Sequence, residues 1–386
     1  MLIEFESRCS SYHLRILHIG VMMPLTRVWE LSKLIFLSNY LAKHNKVCLD
    51  FIQIVTPTHN LWKSYAYYLK SLPFVILDVV ARRHKSGLLV LMLSDVAPYL
   101  YATLFILVSK ILRLKSIFGL PIWYDPPRSK VTFFNTILKK LLKFYDLIVC
   151  PSRKAYLNAR KHVPSKVALL HYYFSVPYST DCPNRAKCNY LKLVNELKKK
   201  GATIYVYIGR FLKVKGLNYL LQTFNEISQK YPRAYLVLVG DGPERELIIN
   251  YSRKKGNMLW LGWLKHPCTD CIIKAGDVGV YTSIATEKYF EEFGIAPLEY
   301  AMYGKPLIIS NTVGCSHDIV INKYNGFIVR QRNRFDLFKA IKHYLVNPNV
   351  LRLHGARSMQ IWRKKFSARA ISIQILEAVV KILSNK

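Results

Sequence analysis

The chain has 386 residues, of which 51% are hydrophobic, so it is long enough for two domains with complete cores and too apolar to be disordered. Lysine and arginine number 57 against 23 acidic residues, giving a formal net charge of +34. Unless the source proteome is basic throughout, such a charge attracts nucleic acid, anionic lipid or phosphorylated substrates. Eight cysteines in a chain of this size exclude a disulfide-rich scaffold.

In the first half, apolar runs typical of β-strands alternate with helix-length segments. The runs begin at Leu14, Lys46, Leu88, Leu120, Asp146 and Lys166. Continuous runs of Val, Ile and Leu separated by helices indicate a parallel sheet covered on both faces. We expect no membrane span between Leu88 and Leu112, because Asp95 and Pro98 divide this stretch into a buried strand and a buried helix.

The alternation lapses in a polar, lysine-rich segment and then resumes. Residues 181–200 are predicted to be a linker that includes a helix leading into a second domain. Further strands are predicted from Thr203, Ala234, Met258, Val278, Pro306 and Gly326, and the chain after about Asp336 is predicted to be helical. The fold class is therefore α/β, with two doubly wound domains over residues 1–180 and 201–365. Ligands of such sheets bind in the crevice at the carboxyl ends of the strands.

The cysteines do not indicate a metal site. Cys268 and Cys271 form one C-x-x-C pair, whereas Cys182 and Cys188 lie far from them along the chain. A structural zinc ion needs four converging ligands, so we expect none here. Cys150, inside an apolar run, is expected to be a buried thiol.

Basic residues follow the strand predicted from Thr203. Arg210 comes directly after Gly209, and Lys215 precedes Gly216 at the start of an amphipathic helix. A guanidinium and an ammonium at one helix entry are able to grip a diphosphate. A charged surface loop is the alternative for these residues taken alone.

Glycines also mark the ends of the next two strands. Gly240 and Gly242 suit a structural turn, which is the favoured interpretation of that site. Gly262 and Trp263 end the following strand, where backbone groups are able to meet a nucleotide base. A core strand with an aromatic residue at its end explains the same residues equally well.

Two glutamates flank a glycine turn in the stretch EEFGIAPLEYAMYGKPLIIS. Glu291 and Glu299 are eight positions apart, with Gly294 between them at the start of a predicted helix. Free amides at a helix start suit phosphate, whereas carboxylates suit pairs of hydroxyls. A nucleotide sugar, with a central diphosphate and a polyol on each side, satisfies both requirements. Two solvated surface acids are the alternative.

Together and in this order, these four signals resemble retaining glycosyltransferases of the GT-B fold, specifically glycosyltransferase family 4 (glycosyl transferases group 1). The E-x7-E motif of that family fits Glu291 and Glu299, and its glycine-lysine-proline follows at Gly304 to Pro306. The resemblance covers about Thr203 to Ile328. It implies two Rossmann-like domains facing across a cleft, an acceptor-side domain followed by a donor-binding domain, and a final helix at 366–386 that packs back on the first.

The resemblance also implies a nucleotide-sugar donor, retention of configuration, and no metal or other cofactor. The implied donor contacts are Arg210 and Lys215 on the diphosphate, the amides of Ile295 and Ala296 on phosphate, Glu291 and the backbone of Phe293 and Gly294 on the sugar, Glu299 on the ribose, and Gly262 in the donor site. Glu291 is thereby the catalytic candidate on the donor side. In the family the leaving diphosphate assists deprotonation of the acceptor, so no dedicated nucleophile is expected.

The first half departs from the family pattern. Only Gly20 follows the first strand, where a glycine pair is usual, and Tyr124 and Asp125 occupy a stretch where a histidine is usual. Asp125 is our candidate for an acceptor contact or base. Alternative functions are a basic nucleic-acid-binding protein and an inactive membrane-bound scaffold on a relic GT-B fold. Dispersed lysines without a recognised module argue against specific nucleic-acid binding, and the intact motif argues against the scaffold.

Basic and aromatic residues occur together in His59 to Lys70, and Arg82, Arg83 and Lys85 form a basic cluster. The segment Lys130 to Phe144 is predicted to be a basic amphipathic helix. Such segments suit a headgroup interface. We therefore expect an anionic membrane surface as a partner and a polyprenyl-linked, lipid-linked or protein acceptor. The N-terminus lacks the basic start of a signal peptide, which favours the cytoplasmic side. Helices that pack on a sheet with solvated lysines would explain the same pattern.

Overall fold

A computed structural model describes residues 2–5, 14–22, 43, 47–55, 88–91, 106–120, 140–172, 175, 189–254, 257–287 and 289–384. The chain divides into two compact units. The first consists of Met1–Tyr172 and Ala368–Lys386, so it uses both ends of the chain, and the second consists of Tyr173–Ser367.

The described part of the first unit contains a seven-stranded sheet in the order β1-β3-β2-β4-β5-β6-β7. Its strands are β1 Leu2–Phe5, β2 Leu14–Met22, β3 Val47–Val55, β4 Leu88–Leu91, β5 Lys115–Gly119, β6 Leu147–Cys150 and β7 Val167–Leu169. All described pairings are parallel except that of β1 with β3 at one edge. Helix α1 (Arg153–Arg160) follows β6, and the last helix of the chain, α10 (Ala368–Ser384), belongs to this unit. The backbone N–H of His171 donates to Gln374 Oε1 of α10 at 2.9 Å.

One strand of this unit was not predicted: β5 lies over Lys115–Gly119, where the sequence KSIFG places only two large apolar residues together. The strand predicted from Leu120 lies outside the described residues from position 121 onward. The segment predicted as a buried helix is helical over residues 106–111, but Leu107 and Ile111 are exposed, so the described part is only partly buried. Among the described helices, none combines the length and apolar character that crossing a bilayer requires.

The second unit contains a six-stranded parallel sheet in the order β10-β9-β8-β11-β12-β13. Its strands are β8 Thr203–Ile208, β9 Ala234–Val239, β10 Met258–Trp260, β11 Val278–Tyr281, β12 Leu307–Ser310 and β13 Gly326–Val329. Its helices are α2 Asn189–Lys199, α3 Leu217–Lys230, α4 Arg245–Lys254, α5 Cys268–Ala275, α6 Ala296–Met302, α7 Ser316–Ile319, α8 Arg334–Val346 and α9 Pro348–Lys365. Each strand lies close to its predicted position.

Helices cover both faces of this sheet. Along β8, Ile204 and Val206 pack into one core with residues of α5 and α6, whereas Tyr205 and Tyr207 pack into a second core with residues of α3 and α8. This alternation follows from the two-residue period of a strand. Both faces of the sheet are therefore covered by apolar cores.

Helix α2 occupies part of the segment predicted as a linker. Val194, in the middle of α2, is fully buried and belongs to the same core as Ile204. Lys198 Nζ donates to Asp277 Oδ1, just before β11. The helix predicted within the linker segment therefore lies over residues 189–199, and an apolar face within this lysine-rich helix packs on the second sheet.

Candidate donor-binding site

The candidate site lies where the strand order of the second sheet reverses. Strands β8 and β11 are adjacent and parallel, although β9 and β10 lie between them in the sequence. The loops that follow such a pair diverge and leave a crevice at the carboxyl ends of the strands. The loop after β8 carries Arg210 and Lys215, and the loop after β11 carries Glu291.

Lys215 and Glu291 meet across this crevice. The Lys215 ammonium donates to Glu291 Oε2 in a direct ion pair. Their side chains are only 10% and 16% exposed, so the pair is largely removed from water. A charge pair at this depth needs further hydrogen bonds to offset its desolvation.

Three hydroxyl groups supply those hydrogen bonds. Glu291 Oε2 accepts from the hydroxyls of Tyr289 at 3.1 Å and of Tyr281 and Ser283 at 3.2 Å. Lys215 Nζ also donates to the two tyrosine oxygens, at 3.3 Å for Tyr281 and 3.2 Å for Tyr289. Burial, and then the Glu291 charge, raise the pKa of both tyrosines well above the usual range, so they remain protonated donors.

Close packing of the two loops positions Lys215. Gly216 has φ 69°, and a Cβ built on it would lie 2.2 Å from the Thr282 carbonyl oxygen. The Thr282 hydroxyl donates to the Lys215 carbonyl at 3.0 Å, and Ile284 N donates to Val214 O at 2.8 Å. Only glycine satisfies both the backbone angle and the close approach.

Arg210 lies at the exposed rim of the same cluster. Its carbonyl accepts from the Tyr207 hydroxyl at 3.2 Å, which anchors the turn after β8. The guanidinium is close enough to Tyr289 for its positive charge to oppose the rise in the pKa of that tyrosine. Tyr289 is therefore close to two cations, Lys215 and Arg210.

The turn between the two motif glutamates is fixed by the loop after β12. Gly294 has φ 92°, and a Cβ there would lie 2.9 Å from a Val313 methyl carbon. Gly314 N donates to Glu291 O at 3.0 Å, and Cys315 N donates to Phe293 O at 2.9 Å. The Phe293 ring is buried against Phe366, with ring centroids 6.3 Å apart, so its side chain serves the core.

Helix α6 begins directly after this turn and carries the second motif glutamate. Ile295 precedes α6 and Ala296 is its first residue. Glu299 lies in the first turn of α6 and is 6% exposed. His266 Nε2 lies 3.9 Å from Glu299 Oε1, and His266 Nδ1 lies 2.9 Å from Asp270 Oδ1.

Gly262 lies in the loop just after β10 and has a left-handed conformation, with φ 72°. Its carbonyl accepts from Gly240 N at 2.9 Å, and no described atom lies within 4 Å of the position that a Cβ would take. The neighbouring Trp263 is 64% exposed. The open side of Gly262 and the exposed ring leave room for a flat ligand.

Asp125, the acceptor-side candidate, lies outside the described residues. Within the described part of the chain, no cluster of three or more His, Cys, Asp or Glu residues is arranged for a metal ion. Cys268 and Cys271 are joined in a disulfide that the sequence did not predict, and Cys182 and Cys188 lie outside the described residues. Cys150 is a buried free thiol, and burial raises its pKa to about 12.

The sequence interpretation missed four polar residues of the site: Tyr281, Ser283, Tyr289 and His266. Tyr281 is the last residue of β11, and Ser283 and Tyr289 lie in the loop that joins β11 to Glu291, which contains an unusual density of hydroxyl-bearing residues. His266 had no signal beyond its place in a loop after a strand. These residues are recognisable only once the two loops are seen together.

The second unit matches a known family. Residues 192–358 match the family model described as Glycosyl transferases group 1. This part of the chain is similar to group 1 glycosyltransferases, as the E-x7-E resemblance implied.

Two characterised relatives are similar to the chain over part of its length. Glycogen synthase from Mycobacterium tuberculosis (strain ATCC 25618 / H37Rv) is 26% identical over 177 residues, which are 45% of this chain and 41% of the relative. The lipopolysaccharide core biosynthesis glycosyltransferase LpsD from Rhizobium meliloti is 28% identical over 179 residues, which are 46% of this chain and 49% of the relative. The chain thus matches less than half the length of each of these relatives.

Solved structures are similar to the chain over nearly its whole length. Anabaena Alr3699/HepE in complex with UDP has a TM-score of 0.69 at 16% identity, covering 95% of this chain and 100% of that one. The E. coli structure described as trehalose-6-phosphate bound with UDP-2-fluoro glucose has a TM-score of 0.69 at 12% identity, covering 96% and 99%. These likenesses confirm the GT-B fold.

Proposed function

We propose that the protein is a glycosyltransferase that moves a hexose from a nucleotide sugar to an acceptor with retention of configuration. The main support is the contact between Lys215 and Glu291, which are 76 residues apart in sequence and meet at the carboxyl ends of adjacent strands. Both residues lie within the part of the chain that matches the group 1 family model. The cation suits a diphosphate and the carboxylate suits sugar hydroxyls. Glu299, eight residues further on, suits the ribose.

In the proposed donor complex, the diphosphate competes with Glu291 for Lys215. Arg210 is the second cation for the diphosphate, and the amides of Ile295 and Ala296 are further phosphate contacts. Glu291, released from the ammonium, accepts hydrogen bonds from the sugar, beside the backbone of Phe293 and Gly294. Gly262 lies beside the nucleotide base of the donor. No metal is needed in this scheme, because these cations and amides offset the phosphate charge.

The proposed transfer requires no protein nucleophile. The bond from the sugar carbon to the diphosphate oxygen breaks as the acceptor oxygen bonds to the same carbon on the same face. The acceptor proton passes to the leaving diphosphate. Asp125 is our proposed acceptor contact, and Asp125→Asn should reduce turnover while leaving donor affinity unchanged.

Calorimetric titration with nucleoside diphosphates and nucleotide sugars tests the donor assignment. UDP and UDP-glucose come first, because the similar structures from Anabaena and E. coli hold UDP and UDP-2-fluoro glucose. A ligand at a hundred times its dissociation constant should also stabilise the fold by about 2.7 kcal/mol in thermal unfolding. Failure of every nucleoside diphosphate to bind the folded protein would reject the proposal.

For the acceptor, we propose a lipid-linked or membrane-associated molecule reached at the cytoplasmic face of an anionic membrane. Two observations support it. One relative is a lipopolysaccharide core biosynthesis glycosyltransferase. In the segment predicted as a basic amphipathic helix, the described residues Lys140, Lys143 and Phe144 are exposed. Exposed lysines beside an exposed aromatic ring suit an anionic headgroup layer.

A further inference from the structure

A histidine outside every predicted motif lies beside Glu299. His266 is in the loop between β10 and α5, and its side chain is 25% exposed. The 3.9 Å between His266 Nε2 and Glu299 Oε1 is too long for a direct hydrogen bond. It is short enough for one ligand hydroxyl to lie within hydrogen-bond distance of both atoms.

The imidazole is held in place from its other side. Nδ1 lies 2.9 Å from Asp270 Oδ1 and 2.9 Å from the Thr269 hydroxyl oxygen. Both partners are buried at the start of α5, with Asp270 only 2% exposed. A buried carboxylate on Nδ1 fixes the ring orientation and directs Nε2 towards Glu299.

This orientation suits a diol. A hydroxyl that donates to Glu299 is able to accept from a protonated Nε2, and the second hydroxyl of the pair is able to donate to a neutral Nε2. His266 therefore provides a hydrogen-bond partner for the diol in either protonation state, as a donor or as an acceptor, whereas a carboxylate only accepts. Gly262 and Trp263, four and three residues before His266, leave space for a base on the same loop.

We propose that His266, oriented by Asp270, binds the ribose diol of the donor together with Glu299. This inference rests on the proposed function, which assigns the ribose to Glu299. His266 is thus a further donor-binding residue, and Asp270 and Thr269 are its positioning residues.

The test compares UDP with 2′-deoxy-UDP and 3′-deoxy-UDP by calorimetry. Wild type should bind UDP about tenfold more tightly than at least one deoxy form. His266→Ala should weaken UDP binding by a similar factor, about tenfold, while leaving the affinity for that deoxy form nearly unchanged. His266→Gln, whose amide nitrogen is able to occupy the place of Nε2, should restore part of the preference.

His343→Ala is the matched control. This half-buried imidazole packs edge-to-face against Phe327, with ring centroids 5.0 Å apart, beside the core on the opposite face of the sheet. It should bind all three ligands as wild type does. If His266→Ala instead weakens UDP and both deoxy forms equally, or changes none of them, the inference is wrong.

The proposed function fails by different outcomes. Wild type that binds no nucleoside diphosphate would overturn both the function and the inference. If wild type binds UDP but Glu299→Ala keeps its full preference over both deoxy forms, the ribose does not lie at Glu299, and the inference falls with that assignment.

Discussion

Lys215 and Glu291 form an ion pair that joins the loops following two adjacent parallel strands, β8 and β11. Three hydroxyls surround the carboxylate oxygen that accepts from the lysine. The proposed diphosphate and sugar ligands each compete for one member of this pair. On this proposal the ion pair opposes the binding of both halves of the donor, because each half must displace the other member of the pair.

Glu291→Ala should separate the two halves of the donor. Loss of the carboxylate leaves Lys215 available to phosphate, so affinity for bare UDP should stay the same or rise. Affinity for the nucleotide sugar should fall about tenfold, because a charge-assisted hydrogen bond to the sugar is lost, and turnover should fall with it. Calorimetry with UDP and with the nucleotide sugar measures the two changes in affinity separately. Glu287→Ala, an exposed acid in the same loop, is the control. Equal loss of both ligands in Glu291→Ala would contradict the sugar role.

Lys215→Met should weaken diphosphate binding about tenfold to a hundredfold, because it removes a charge-assisted phosphate contact. The fold should persist, since three hydroxyls still donate to Glu291. The double variant with Lys215→Met and Glu291→Gln has no unpaired buried carboxylate. It should therefore recover stability without recovering affinity for the diphosphate. Lys213→Met, an exposed lysine in the same turn, controls for net charge. Unchanged UDP affinity in folded Lys215→Met would end the phosphate assignment.

Gly216→Ala should destabilise the protein far more than Gly262→Ala. The two glycines share nearly the same backbone angle, with φ 69° and φ 72°. A methyl group at Gly216 meets a carbonyl oxygen 2.2 Å away, whereas at Gly262 it meets no described atom within 4 Å. We expect a loss of roughly 1 kcal/mol at Gly262 and roughly 3 kcal/mol at Gly216. Urea unfolding without ligand measures both, and equal losses would mean that the loops adjust to the methyl group.

The membrane proposal predicts sedimentation with anionic vesicles at low salt, weaker binding at high salt, and little binding to neutral vesicles. Changing Lys139, Lys140 and Lys143 to glutamate should abolish the interaction. Lys139 lies outside the described residues, whereas the other two are exposed.

A charge-matched control distinguishes a specific face from net charge. Lys339, Lys342 and Lys364 are exposed lysines of the second unit, and their triple change to glutamate alters the net charge equally. This control should still sediment with anionic vesicles. Wild type that stays in the supernatant at low salt would favour a soluble acceptor.

His354 should make the protein less stable in mild acid. Burial first, and then the charges of Arg357 and His343, lower the pKa of His354 below its usual 6.5. The unfolded chain therefore takes up this proton more readily than the folded chain. Its stabilising contribution is present above the unfolded pKa and is lost as pH falls towards the folded pKa. In wild type the Tyr344 hydroxyl lies 3.0 Å from His354 Nδ1, and His354→Gln keeps a hydrogen-bond partner for it. Between about pH 7.5 and about pH 5, this variant should lose less of its free energy of unfolding than wild type does. An identical pH dependence in the variant would contradict this.

The sheets were predictable because their strands are long apolar runs with strong periodicity. Strand β5 was not predicted because KSIFG lacks that signal and is held by its neighbours in the sheet. Helix α2 was taken as part of a linker because most of its residues are polar, although Val194 is fully buried. Local composition does not show which few side chains a helix buries.

The motif glutamates and the two cations were predictable from spacing, but their mutual arrangement was not. Separate ligands were expected for Lys215 and Glu291, whereas the structure pairs them directly. The ion pair also explains three residues that were not predicted, because the hydroxyls of Tyr281, Ser283 and Tyr289 all donate to Glu291. Contacts between residues far apart in sequence depend on the strand order, which periodicity does not specify.

The first unit is assembled from both ends of the chain, and this imposes an order on biosynthesis. A ribosome completes residues 173–367 before it has produced α10, so the second unit has all its residues while the first still lacks a helix. His171 must await Gln374, made two hundred and three residues later, for its backbone hydrogen bond. Truncations that remove α10 should therefore damage the first unit, although the rest of that unit lies far earlier in the sequence.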